Sequence, residues 1–348
     1  MSIKTLAPAA FTKDEQALIV TDLLALKKPQ IGEFLSRNEL PKSGTKEQLR
    51  ARIEESLGAG SLSLPAIVQY LDEVIPWGKQ HVYLYKGPAS SIASWRKEEW
   101  VADLLEQHRL GKYLNASLPL VLPDKMKVSS IFHDPNRLRI TAVKRRDWWD
   151  RNPDYDDTGK TEEGEDVELR AFVHRVTRSL VAFEWDLVAN NAFLQISQLP
   201  RGFDYDEVAD EFFKLIEGWL DRSLFSLLDL RPPITKLHAL EESGDGETRS
   251  HGINYRTLQG RHFEGKSASP TDPLLGEAAI DAALRAVRKS GVGHLGNFYW
   301  TPTNGAATAL DSEVHVIVVG FRNRVNFPTP NNEETVRYVL SRIRSHCS

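Results

Sequence analysis

Cysteine is almost absent. The single thiol, Cys347, is the penultimate residue, which excludes an internal disulfide framework and any cysteine-based zinc site. No apolar run approaches the roughly 18 residues that a membrane span needs, so no membrane contact is expected. Residues 1–16 lack the apolar centre of a signal peptide, and the expectation is an intracellular, soluble chain in a reducing compartment. A surplus of either charge is also missing. The 44 Lys and Arg face 48 Asp and Glu, a formal net charge of −4, so only local charge can argue for nucleic acid. There is no HExxH, no GxSxG elbow and no histidine pair at helical spacing with a carboxylate. No metal or other cofactor is therefore expected.

What is present suits a folded domain or two. The chain has 348 residues, 41% hydrophobic and 26% charged, enough apolar material for a core without a staple. The first seventy-five residues read as helical. Thr12 with Glu15, and Thr45 with Gln48, have capping-box spacing. Ile31, Phe34 and Leu35 share one helical face, and Leu49, Ile53 and Leu57 repeat every four residues. Gly58 to Ser61 reads as a linker, and a further helix runs from Leu64 to Ile75.

After Pro76 the period changes. Strands are expected at His81–Tyr85, 128–132 with 138–143 as a hairpin, 167–176, 180–185, 192–199, 253–263, 298–300 and 314–321. Helices are expected over 94–108, 204–228, 273–289 and 332–344. Asn152 to Asp166 carries seven carboxylates and one lysine and reads as a mobile acidic loop. Runs of strands and helices without regular alternation favour α+β. The expected architecture is a small helical unit over 1–60 followed by a larger mixed α/β body over 61–348. The body's sheet is mostly antiparallel and hairpin-rich, with a break into subdomains near 152–166.

Residues 26–57 carry a motif. Leu26, the trio Ile31/Phe34/Leu35, Leu40 and Pro41 before Gly44, the Thr45-Lys46 helix start, and Leu49 and Ile53 within that helix recur in order. In this pattern the segment resembles the SAP domain, a helix–extension–helix module. The resemblance implies binding to double-stranded DNA with little sequence reading and a bias to AT-rich tracts. The order of elements along the whole chain is also similar to that of the CENP-N family of kinetochore proteins; no motif carries that likeness, and no residue role is taken from it.

Physical chemistry gives the SAP-like segment a mechanism. A helix N-terminus after a glycine turn offers free amides and the positive end of a dipole, a ready phosphate site. The candidate contacts are Lys42, Ser43, Gly44, Thr45, Lys46 and Arg50, with Lys27 and Lys28 at the start of the first helix. Residues 1–60 hold nine Lys and Arg against eight acids, so binding by this piece alone should be weak and salt-sensitive. Phosphate contacts of this kind position a protein without reading bases. The alternative is a helical hairpin that docks on the body or on a partner protein, while the body holds a partner, more DNA or a second copy of the chain.

In the body, Lys144, Arg145 and Arg146 precede Trp148 and Trp149. Cations can neutralise phosphates there while an aromatic stacks on an unpaired base. The acidic stretch just after them is expected to compete for that basic surface. An enzymatic alternative is a metal-dependent nuclease in which Asp245 and Glu264 hold Mg²⁺ and Lys266 steadies the attacking water. Glu184 and Asp186 are a second carboxylate pair. Two nucleotide-binding patterns lack their context. Gly260 to Ser267 has P-loop spacing, but Pro270 and Pro273 deny the helix that must follow. Gly291 to Gly296 has dinucleotide spacing, with helix and strand in the wrong order.

Overall fold

The computed structural model describes residues 4–5, 11–90, 92–244, 246–302 and 310–347. A two-residue strand, β1 (Lys4–Thr5), precedes α1 (Lys13–Ala25), α2 (Lys28–Arg37), α3 (Lys46–Gly58) and α4 (Leu64–Val74). Both expected capping boxes close. Thr12 N–H donates to Glu15 Oε2 at 2.8 Å, and Thr45 N–H to Gln48 Oε1 at 2.9 Å. The four helices bury one core that holds Leu23, Ile31, Phe34, Leu35, Leu49, Ile53, Ile67 and Leu71. Each such side chain contributes about 1.5–3 kcal/mol on burial. Because α4 supplies part of that core, the helical unit runs on past residue 60 to about Val74.

The body is built on β2 (Gln80–Lys86), α5 (Ile92–Trp95), α6 (Glu98–Gln107), β3 (Ala116–Ser117), β4 (Lys127–Asp134) and β5 (Arg137–Arg151). After these come β6 (Asp157–Lys160), β7 (Asp166–Leu169), β8 (Phe172–Asp186), β9 (Asn191–Ser197), α7 (Tyr205–Ile216) and β10 (Ser226–Leu227). The chain ends with α8 (Arg231–Ser243), β11 (Thr248–Thr257), β12 (His262–Lys266), α9 (Ala278–Ser290), β13 (Gly291–Trp300), β14 (Val314–Val319), β15 (Arg324–Phe327) and α10 (Glu333–Ser345). The fold is α+β, as expected.

One sheet of 13 strands runs β1-β3-β4-β5-β8-β9-β2-β15-β14-β13-β11-β12, with β10 paired to β2. Among the described residues β1 pairs with β3 in parallel, and the other strand pairs are antiparallel. β2 lies mid-sheet, and its alternation divides the body. Tyr83 and Tyr85 enter a core with α6 and α7 beneath the β4-β5-β8-β9 half. Val82 and Leu84 enter a second core with α8, α9 and α10 beneath the other half. Successive strand side chains point to opposite faces, so the two helical layers cover opposite faces of one continuous sheet. That is why β2 is buried along its length up to Lys86.

The expected elements differ from the observed ones in several places. The acidic segment 152–166 is only in part a loop: Asp157–Lys160 form β6, which pairs with β7 from Asp157↔Leu169 to Lys160↔Asp166 and continues the β5–β8 hairpin, and 161–165 make the turn between them. The expected strands 167–176 and 180–185 largely merge into β8, a single 15-residue strand. The helix expected over 204–228 stops at Ile216. α8 occupies part of a stretch with no expected helix, because its two prolines sit in its first turn, where no intrahelical donor is lost. The strand expected over 253–263 is a hairpin turning at Gly260, with β12 on its far side.

Candidate nucleic-acid interface

α2 and α3 turn their apolar faces inward, leaving the connection between them outside. Residues 41–48 are all exposed. Gly44 has φ +138°, and a Cβ there would lie 2.9 Å from Gln48 Oε1, so only glycine fits the turn. The Arg52 guanidinium braces the loop from below, donating to the carbonyls of Pro41 at 2.6 Å and Ser43 at 3.1 Å. The stem of Lys42 passes over Gly32 of α2. Among the described residues, Lys28, Lys42 and Lys46 take part in no ion pair.

Two of the expected contacts are already engaged. Lys27 donates through Nζ to the Pro330 carbonyl at 2.5 Å, tying α2 to the segment before α10. Arg50 reaches Thr21 Oγ1 at 3.1 Å and Glu54 at 3.5 Å. The helix N-terminus also carries its own anion. The Glu47 carboxylate accepts from its own backbone N–H and from the Thr45 hydroxyl, which hold it below the usual carboxylate range. A phosphate arriving here competes with that carboxylate, a contact legible in the sequence as an acid in the first helical turn.

Lys144, Arg145 and Arg146 do not form one patch. Strand alternation sends Lys144 and Arg146 to one face of β5 and Arg145 to the other. Lys144 pairs with Glu211 of α7 at 2.5 Å and Arg146 with the same carboxylate at 3.2 Å. Arg145 grips Asp147 through two nitrogens. These cations are neutralised by α7 and by a strand neighbour, not by the acidic segment after them. Trp149 is exposed and stands beside His174, ring centroids 5.1 Å apart.

The nuclease candidates are Asp245, Glu264 and Lys266, with Glu184 and Asp186 as the second pair. Asp245 lies outside the described residues. Glu264 and Lys266 sit exposed on the sheet's edge strand β12. Glu184 is buried between Arg139, at 2.8 Å, and Arg337, at 2.7 Å; Asp186 caps a turn through the amides of Val188 and Ala189. No group of three or more His, Cys, Asp or Glu side chains is arranged to hold a metal among the described residues. A serine–histidine contact does occur: His251 Nδ1 lies 2.6 Å from Ser267 Oγ. Both residues are buried, and the hydroxyl reaches backbone carbonyls, so the contact is a packing one.

The glycines of 291–296 serve helix packing. They lie on β13, and a Cβ at Gly293 would come within 2.6 Å of the Ile234 side chain on α8. Gly260 to Ser267 is the β11–β12 turn and edge strand.

The helical unit is fastened over the outer face of the β5–β8 pair. Arg178 of β8 pairs with Asp72 of α4 and donates to the Leu120 carbonyl at 2.9 Å. Between the unit, the β3-β4-β5 floor and the start of α10 lies a cleft of about 790 Å³. The guanidiniums of Arg139 and Arg337 each stand about 5 Å from the Trp77 ring on its wall. None of these docking contacts is visible as a sequence pattern. No helix among the described residues is long and apolar enough to cross a membrane. The chain matches no protein-family model and no curated protein.

Proposed function

We propose that this is a non-catalytic protein that binds duplex DNA weakly and with little sequence reading. The contact is the exposed tip between α2 and α3, and the body holds a partner protein, more DNA or a second copy. The observation that carries the reading is the exposure of residues 41–48 together with the absence of ion pairs at Lys42 and Lys46 among the described residues. Two or three neutralised phosphates imply a log–log salt slope of about −2 to −3.

Duplex affinity measured against salt, for wild type and for Lys42→Glu/Lys46→Glu, tests it. The double variant should bind at least about tenfold more weakly, with a slope flatter by about two. A flat salt response, or no effect of the double change, would replace this reading with a hairpin that docks only on protein. Plasmid cleavage in Mg²⁺ that Glu264→Ala abolishes would replace it with the nuclease.

A further inference from the structure

The β5–β8 hairpin outruns the sheet. β4 leaves β5 at Val143, and β9 leaves β8 at Val181. Beyond these points the two strands pair only with each other among the described residues; Arg145 still meets Pro123 and Arg178 the helical unit, and from Asp147↔Val176 the ribbon runs on to the Arg151↔Phe172 pair and into β6 and β7. The result is a two-stranded arm with free edges. Four of its large apolar side chains are exposed: Trp149 (68%), Tyr155 (72%), Leu169 and Phe172. Trp149, paired with His174, and Phe172, paired with Arg151, share a face, with the Asp150↔Val173 pair between them. Scattered exposed apolar residues are normal, but four on one slender ribbon mark an interaction surface.

The arm's charge selects what it meets. Between Asp147 and Thr177 there are ten carboxylates and four Lys and Arg. Three of those cations are consumed within the arm: Arg151 by Asp156, Lys160 by Asp166, and Arg170 by Glu168. Asp150, Asp154, Glu162, Glu163 and Glu165 are exposed and form no ion pair among the described residues. This field repels a phosphate backbone, and it repels the same arm of a second copy.

We propose that the arm is the docking site for an extended Lys/Arg-rich segment of a partner protein. Its cations meet the unpaired carboxylates. Its aliphatic stems and guanidiniums lie on Trp149 and Phe172, where cation–π attraction adds to burial. The free strand edges offer backbone donors and acceptors to an extended chain. The proposal is independent of duplex binding at the tip.

The test uses the full-length protein and the fluorescence anisotropy of a labelled Lys/Arg-rich peptide, with a matched Glu-rich peptide and a DNA duplex as controls. Two variants at exposed positions separate the contributions: Trp149→Ser/Phe172→Ser, and Glu162→Gln/Glu163→Gln/Glu165→Gln. Circular dichroism checks that each keeps its fold. Each variant should weaken the basic peptide by about tenfold, and only the glutamine variant should flatten the salt dependence. Duplex affinity should not fall in either. Wild-type affinity of the basic peptide for the serine variant would overturn the proposal, leaving only diffuse charge attraction. So would equal binding of the Glu-rich peptide. Loss of duplex binding in Lys42→Glu/Lys46→Glu with the basic peptide unaffected separates this proposal from the tip reading.

Discussion

Arg178 of β8 meets Asp72 of α4 at 2.5 Å, with the arginine side chain only 2% exposed. This pair, 106 residues apart in sequence, joins the helical unit to the sheet. Burial pushes the Asp72 carboxyl upward and Arg178 opposes that push. Neither partner is fully satisfied, since Asp72 Oδ2 and Arg178 Nη1 lack hydrogen bonds. The pair therefore specifies where the unit docks more than it stabilises the fold.

Removing one partner should be costly. Arg178→Ala leaves Asp72 buried without its cation, and a loss of about 3–5 kcal/mol is expected. Urea denaturation measures it. A loss below about 1 kcal/mol would show that the docking does not depend on this pair.

Asp22 of α1 gives the same junction a pH dependence. Burial raises its carboxyl from 3.8 to about 6, against the opposing charge of Arg178. Between those two values the folded chain binds more protons than the unfolded one, so stability at this group is greatest below the lower value and falls as pH rises through the higher. Ionisation by pH 7 then costs on the order of 2–3 kcal/mol. Asp22→Asn should match wild type near pH 4 and be more stable at pH 7 in paired urea titrations. Equal stability at both pH values would refute the assignment.

Glu47 occupies its own backbone amide, one of the α3 donors that a phosphate would use. Glu47→Gln should tighten duplex binding by roughly threefold and steepen its salt dependence. Titrations at two salt concentrations check this. Unchanged affinity would mean that the α3 N-terminus makes no phosphate contact.

Gly293 allows α8 to lie directly on β13. A Cβ there would come within 2.8 Å of the Arg231 carbonyl as well as meeting Ile234, so Gly293→Ala should cost about 2–3 kcal/mol. Thermal melting would report it. A wild-type melting temperature would show that α8 shifts freely.

Short-range chemistry was readable where one element contains it. The Thr12/Glu15 and Thr45/Gln48 boxes, the Ile31/Phe34/Leu35 face and the hairpin turn between 128–132 and 138–143 each depend on residues a few positions apart, and each formed. The Asp134 carboxylate closes that turn on the amides of Asn136 and Arg137. The long strands were harder to read. β8 merges two expected strands because its polar middle is buried on both faces, Arg178 against the helical unit and Ser179 on the opposite face. β6 and β7 look like a loop because their stability comes from pairing and not from an apolar face. α8 hides behind two prolines that its first turn tolerates.

The amino-acid order alone set the exposed glycine turn of the N-terminal unit, its cations and its caps, since these need only neighbours along one or two helices. Folding in three dimensions decided which cations stay free. Lys42 and Lys46 remain in solvent, whereas Lys144 and Arg146 are claimed by Glu211, 65 residues or more away. A charge's availability depends on the partner that the fold brings to it, and strand alternation splits a contiguous basic run between two faces.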